Sequence, residues 1–354
     1  MSQHISIVGG GMVGASLALA LQQHAARRGW RINLIEAQPP ARGQTQPSFD
    51  ARSTALSHGS YLLFEQLGIW AELAGQAEPI RQIHVSDRGH PGVTRLFAEK
   101  ERVPALGYVV ENAALGKVLL AALDPAVVRW QAPARVVGAE PARSGWLMQV
   151  EEHEQLHEQA TDLLIVADGG RSGLLEQLGI HRQVRPYGQT AIISNITSSQ
   201  GHDGVAYERF TPNGPLALLP MSAGRSALVW TQPDAQVDEV MTLSDAAFLE
   251  ALQDAFGFRM GALTRVGQRH AYPLSLIEAE EQVRTGLVVL GNAAHSLHPI
   301  AGQGFNLSLR DAMALADTLV DAPAHGAPGD LRLLEGYLDR QRRDQQQTIA
   351  FSDG

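Results

Sequence analysis

The stretch HISIVGGGMVGASLALALQQHAARRGWRINLIEA, residues 4–37, decides the architecture. Ile5, Ile7 and Val8 predict a short buried strand, and Gly9, Gly11 and Gly14 follow it directly with the spacing G-x-G-x-x-G. Ala15 to Gln23, small and apolar, predicts a helix. Arg31 to Ile35 predicts a second strand that ends in Glu36, 22 residues after Gly14. Each piece has a mechanical role in binding a dinucleotide. Gly9 permits the tight turn, Gly11 lets a pyrophosphate approach the backbone, and Gly14 lets helix and strand pack closely. The helix N-terminus favours phosphate charge. Glu36 offers acceptors to both ribose hydroxyls, which suits an adenosine without a 2′-phosphate. The motif alone does not separate FAD from NAD.

A chain of 354 residues suggests two domains, or one domain with a large insertion. Hydrophobic content of 44% and charged content of 18% suit an ordinary globular protein. With 28 basic and 37 acidic residues the net charge is −9, which argues against a nucleic-acid partner. There is no cysteine, so disulfides, thiolate nucleophiles and zinc–thiolate sites are excluded and a reducing, cytoplasmic setting is natural. The N-terminus lacks the basic flank of a secretory signal, and glycines interrupt its apolar run. No stretch approaches the roughly 18 apolar residues of a membrane span. The polar, Pro-rich AQPPARGQTQPS, residues 37–48, predicts a mobile loop.

Two later stretches continue the pattern. TDLLIVADGGRSGLLEQLGI, residues 161–180, is an apolar strand ending in Asp168-Gly169, then Arg171, Ser172 and a helix. GLVVLGNAAHSLHPIAGQGFNLSLRDAMALADTL, residues 286–319, runs from a buried strand to an amphipathic helix carrying Phe305, Leu309, Met313, Ala316 and Leu319. The turn between them is far longer than a strand-to-helix connection needs. Residues 182–272 hold alternating runs such as QTAIISNITS, GVAYERFTPN, LALLPM and SALVWTQ, which predict an antiparallel sheet. DAAFLEALQDAFG, residues 245–257, predicts an amphipathic helix over it.

The three glycine-rich motifs, in this order, resemble those of the flavin-dependent aromatic hydroxylases, the p-hydroxybenzoate hydroxylase-like monooxygenases, over essentially the whole sequence. FDARSTALSHGSYLLFEQLGIW (49–70), VSDRGHPG (85–92), ERFTPNGPLALLPM (208–221), AYPLSL (271–276) and GNAAHSLHPIAGQGFN (291–306) narrow the resemblance. They are similar to the ubiquinone-biosynthesis branch, and within it to the hydroxylases of 2-polyprenyl-6-methoxyphenols. The resemblance implies an α/β fold with a Rossmann-like FAD-binding domain and an inserted antiparallel-sheet substrate domain. The FAD-binding domain would take residues 1–75, 101–181 and 273–325. The substrate domain would take 76–100 and 182–272. Residues 326–354 would form a C-terminal helical segment shorter than the family's.

The resemblance also implies roles for single residues. Arg52 matches the arginine that reaches the FAD pyrophosphate and serves the nicotinamide cofactor, and Asn112 a flavin-contacting polar position. Asp168 belongs to the second of the three motifs, the Asp-Gly pair. Gly291 and Asn292 fall at the ribityl and pyrophosphate part. Gly302, Gln303, Gly304 and Asn306 fall beside the pyrimidine edge of the flavin. Asn292 departs from the family's usual Asp; it keeps an acceptor and loses the charge. Phe210, Tyr272, His298 and Pro299 are the substrate-pocket candidates, although aromatics such as Phe210 and Tyr272 are more often core residues and Pro299 also reads as a turn former. His298 is the candidate to assist phenol deprotonation. His295 and His298 lack an accompanying acidic cluster, so no metal site is expected.

The activity so implied is an FAD-dependent aromatic monooxygenation in ubiquinone biosynthesis. NAD(P)H reduces FAD, O₂ adds at flavin C4a, and the hydroperoxide passes OH to a polyprenylated methoxyphenol. A polyprenyl tail implies peripheral contact with the inner face of the membrane, or an assembly of biosynthetic proteins. Two other readings stay open: a same-fold FAD oxidoreductase acting on another phenol or as a prenyl reductase, and a non-catalytic flavin-binding scaffold.

Overall fold

The computed structural model describes residues 2–38, 52–298, 302–323 and 326–353. Most of the polar segment expected as a mobile loop, and Pro299, lie outside the described residues.

The opening stretch forms the strand Gln3–Val8, the helix Met12–Arg28 and the strand Trp30–Ile35. The helix ends at Gly29, whose φ of +69° suits a left-handed cap. The first strand lies inside a six-stranded sheet. Leu163–Val166 and Trp30–Ile35 flank it in parallel, Leu287–Val289 and Val128–Gln131 lie beyond them, and Val283–Arg284 closes one edge antiparallel. A parallel sheet needs cover on both faces, and alternate side chains supply each one. Ile5, Ile7, Ile32, Leu34, Leu163, Ile165 and Val288 pack under the Met12–Arg28 and Gln303–Asp321 helices. Val8, Ile35, Leu164, Val166, Leu287 and Val289 pack against Val136, Trp146, Met148 and Val150 of a three-stranded antiparallel sheet. Each such aliphatic side chain, fully buried, contributes about 1.5–3 kcal/mol. The C-terminal helix Leu331–Asp353 adds Leu334 and Tyr337 to the first of these cores.

The second large element is a nine-stranded sheet. Arg182–Ser198 lies between His270–Ala279 and Arg225–Pro233, then come Gly214–Pro220, Val205–Thr211, Gln82–Asp87 and the edge strand Val93–Phe97. The sheet is antiparallel except at one junction, where Val205–Thr211 and Gln82–Asp87 run parallel. These two strands come from segments far apart in the sequence, so no hairpin dictates their relative direction. His270–Ala279 runs across residue 272, where the substrate unit was expected to end. The short strand His295–Ser296, from the third glycine-rich stretch, pairs with it. The helix Asp245–Phe256, capped by the Ser244 hydroxyl, covers the outer face through Phe248, Leu252 and Phe256 on Ile192, Leu216, Leu228 and Trp230. The inner face, built from the alternate residues of the same strands, looks toward the parallel sheet.

Candidate active site

A cavity of about 670 Å³ lies between the two sheets. At one end it is walled by Gly9, Gly11, Met12 and Glu36. In the middle come Arg52, Thr54, Asn112, Asp168, Arg171 and Asn292, with Gly302, Gly304 and Phe305 beside them. At the other end it meets the inner face of the broad sheet, at Ala191, Ile193, Glu208, Ala217, Val229 and Tyr272. A smaller cavity of about 320 Å³, between the outer face and its helix, holds none of the glycine-motif residues.

The nucleotide end is shaped by close backbone approach. Gly9 has φ +108°, and a Cβ there would lie 2.5 Å from the Ala167 carbonyl oxygen. A Cβ on Gly14 would lie 1.9 Å from the Gly9 carbonyl oxygen. Gly14 therefore serves the contact of helix with turn and is buried behind the cavity wall, whereas Gly11 opens the helix and lines the wall. The Glu36 carboxylate accepts from the Gly10 amide at 2.7 Å and the Gln38 amide at 2.8 Å. A carboxylate has about four acceptor sites, so capacity remains for hydroxyl donors.

In the middle section the Asp168 carboxylate is held by the Gly170 and Ser172 amides at 2.8 and 3.1 Å, which closes its turn. Asn112 is buried; its Oδ1 accepts the Thr54 hydroxyl at 2.6 Å while its residue lines the cavity. Among the described residues Nδ2 of Asn112 has no protein acceptor, which leaves a donor for a ligand. The Arg52 guanidinium lies 5.0 Å from the centre of the Tyr272 ring, a cation–π distance. Asn292 is exposed at the wall, and Gly291, with φ +66°, packs behind it on Val13.

Several expected residues are placed differently. Asn306 does not line the cavity. Its Oδ1 accepts from the Ser57 amide and the Ser60 hydroxyl, and its Nδ2 donates to the Ala55 and Gly302 carbonyls, which fills the whole side chain. Gln303 also stays out of the wall. Phe210 is 41% exposed near the end of its strand. His298 is buried beside the cavity, edge-on to Tyr187 at 5.1 Å, and burial lowers its pKa. His295 is held at Nε2 by Asp311 at 2.7 Å, and Gln345 of the last helix donates to the same carboxylate oxygen at 3.0 Å.

The residue that sequence reasoning passed over is Glu208. It lines the sheet end of the cavity, and burial raises its carboxyl pKa with no neighbouring charge contributing. Its signal was the alternation in VAYERFT, residues 205–211, which puts Ala206, Glu208 and Phe210 on one face and a carboxylate among apolar neighbours.

The glycine cradle, the acid at its far end and the unpartnered Asn112 donor fit an FAD stretched from Glu36 toward Tyr272. Comparison with known proteins agrees. A family model described as FAD binding domain matches residues 2–352. The ubiquinone hydroxylase UbiL of Rhodospirillum rubrum is 36% identical over 352 residues, covering 99% of this chain and 80% of its own. The 3-demethoxyubiquinol 3-hydroxylase of Escherichia coli is 33% identical, covering 96% and 85%. The human mitochondrial ubiquinone biosynthesis monooxygenase COQ6 is 29% identical, covering 99% and 84%. Among solved structures, PqsL of Pseudomonas aeruginosa superposes with a TM-score of 0.80 at 21% identity, covering 99% of this chain and 95% of its own. The tetrameric form of 2-methyl-3-hydroxypyridine-5-carboxylic acid oxygenase gives 0.78 at 18%, covering 99% and 90%. At these identities the two structures speak for the fold alone.

Proposed function

The chain belongs to the FAD binding domain family, and from that premise we propose that it is an FAD- and NAD(P)H-dependent monooxygenase that hydroxylates the ring of a polyprenylated methoxyphenol in ubiquinone biosynthesis. One observation carries this reading: a single cavity runs from the dinucleotide cradle at Gly9, Gly11 and Glu36 to an apolar sheet face at Ile193, Ala217 and Val229. An adenosine and an aromatic substrate thus share one chamber, with space between them for a flat ring. The relatives' names refer to ubiquinone and its precursors, which supports a prenylated phenol.

The redox chemistry, hydride acceptance from NAD(P)H and activation of O₂, is the bound flavin's. The protein's own residues bind and orient. The amides opening the Met12–Arg28 helix would hold the pyrophosphate, and Glu36, which lines the same end, would accept from ribose hydroxyls. Asn112 donates from Nδ2, and Arg52 adds positive charge beside Tyr272. Ala191, Ile193, Ala217 and Val229 present no hydrogen-bonding side chain to the cavity, so they exclude water from the ring and hold it by apolar contact.

A prenyl tail needs an apolar environment beyond the protein, and peripheral contact with a membrane or an assembly is part of this reading. Val93 and Leu96 of the edge strand, 48% and 43% exposed on its two opposite faces, are the apolar side chains such a contact at this edge would use. No helix among the described residues is long and apolar enough to cross a bilayer. Co-sedimentation with lipid vesicles tests the contact: Val93→Ser with Leu96→Ser reduces it if this edge is used.

The test of the activity is anaerobic reduction by NADPH, followed in the visible spectrum, with and without a short-tailed 2-prenyl-6-methoxyphenol. The expected result is faster bleaching with the phenol and hydroxylated product on admitting air. Bound FAD with no response to the phenol in rate or product overturns the reading.

A further inference from the structure

Among the described residues the broad sheet carries one carboxyl, that of Glu208, into the apolar end of the cavity, where Tyr272 also stands. Glu208 faces Ala217 on one neighbouring strand and Val85 on the other. Ala217 faces Val229, and Val229 faces Ile193. The row across the sheet is therefore Ile193, Val229, Ala217, Glu208, Val85, a lone carboxyl among aliphatic side chains. Among the described residues it has no hydrogen-bond or salt-bridge partner, and it lines the same cavity as the dinucleotide cradle. A partly buried carboxyl without a protein partner is costly to the fold and is a candidate to meet a ligand. Burial raises its pKa, which also makes its ionised form a stronger base.

We propose that Glu208 is the catalytic residue that accepts the proton of the substrate's phenolic hydroxyl. The inference rests on the monooxygenase reading above. The phenol O–H bond breaks and the proton joins a carboxylate oxygen of Glu208. The electron pair stays on the phenol oxygen, where it enriches the ring at the carbons ortho and para to it. The new C–O bond would form as the O–O bond of the oxygen activated by bound flavin breaks. The hydroxylated carbon then loses its hydrogen as a proton, which restores the aromatic ring, and that proton leaves with the second oxygen atom as water. The phenol oxygen takes back the proton held by Glu208, and the carboxylate is regenerated. His298, the candidate from sequence, lies outside the lining and packs on Tyr187, whereas Glu208 is in the wall.

The test uses the FAD-loaded protein, the short-tailed 2-prenyl-6-methoxyphenol and its O-methyl ether. Glu208→Gln keeps the shape and removes the base. It is expected to bind FAD as the wild type does and to lose hydroxylation by about a hundred-fold near neutral pH, in line with the contribution of a positioned base. Its rate is expected to recover as the pH approaches about 10, where the phenol ionises unaided. Because the folded protein raises this carboxyl above its ordinary value of 4.5, the charged form opposes folding above that pH. Glu208→Gln removes that charge, and thermal unfolding of the two proteins at neutral pH, expected to show no loss for the variant, separates a loss of rate from misfolding. Hydroxylation by Glu208→Gln within two-fold of wild type across the pH range overturns the assignment. Should the wild type itself not hydroxylate, the monooxygenase reading falls and binding decides the role of Glu208. A wild-type preference for the phenol over its methyl ether of at least ten-fold, absent in Glu208→Gln, supports it; equal binding of the two ligands by wild type rejects it. That wild-type comparison also decides if the variant fails to hold FAD.

Discussion

Asn306 accepts the hydroxyl of Ser60 at 2.6 Å, and this bond joins the first turns of two helices, His58–Gln66 and Gln303–Asp321. The same side chain reaches the Ser57 amide and the Ala55 and Gly302 carbonyls. It thereby fixes the strand Ser53–Ser57, whose neighbour Arg52 lines the cavity, against the glycine turn at residues 302–304. Asn306 thus positions the backbone on two sides of the cavity wall without lining the cavity itself.

Asn306→Ala should strand several of these groups in a buried setting. Each unsatisfied group costs about 1–3 kcal/mol, so a loss of a few kcal/mol in urea unfolding is expected, with weaker FAD retention on gel filtration. A variant as stable as wild type rejects this role.

Two substitutions separate backbone approach from side-chain chemistry at the cofactor. Gly11→Leu puts a side chain where the cradle must meet the pyrophosphate, and FAD should be lost. Asn292→Asp keeps an acceptor at an exposed position of the wall and should retain FAD at wild-type stoichiometry. Retention by the first or loss by the second, read from the flavin absorbance of purified protein, contradicts the placement.

Arg52 and Tyr272 are stacked, yet they serve different ligands in the proposed reading. Arg52→Ala should weaken FAD binding by roughly ten- to a hundred-fold, the worth of about 1.5–3 kcal/mol for hydrogen bonds to a charged group. Tyr272→Leu should retain FAD and raise the KM for the phenol. Flavin fluorescence titration and steady-state kinetics check the two effects separately.

Burial lowers the pKa of His298 below its ordinary 6.5, so the native state favours the neutral ring. In the window below 6.5 and above the folded value, the unfolded protein binds more protons. The contribution to stability is therefore fully present above pH 6.5 and is lost as the pH falls toward the folded value. Thermal unfolding from pH 7.5 to 5 should show wild type losing stability relative to His298→Phe; parallel curves for the two proteins exclude the effect.

The opening unit was legible because its causes are local. Strand periodicity, three glycines at fixed offsets and a terminal acid lie within 34 residues, and the structure forms strand, helix and strand there. The strands and covering helix of the broad sheet were legible for the same reason. Glu208 was not, because its burial depends on pairing with Gln82–Asp87, more than a hundred residues earlier. Asn306 read as a ligand contact because its type and place in the motif suit one. Only the packing of Ser57, Ser60 and Ala55 shows that its hydrogen bonds are already made. His298 stands in the right turn, but its ring turns toward Tyr187, a direction set by a strand more than a hundred residues away.

The order of strands in the parallel sheet carries a consequence for biosynthesis. Gln3–Val8, made first, takes as neighbours Trp30–Ile35 and Leu163–Val166, and the latter needs Leu287–Val289 on its far side. During translation the apolar edge of Leu163–Val166 thus waits for more than a hundred further residues. Such late, long-range closure is slow and leaves a sticky edge on the nascent polypeptide. Chaperone occupancy on ribosome-bound chains should peak between the emergence of residues 166 and 289, and FAD should be captured only by molecules in which that last strand has docked.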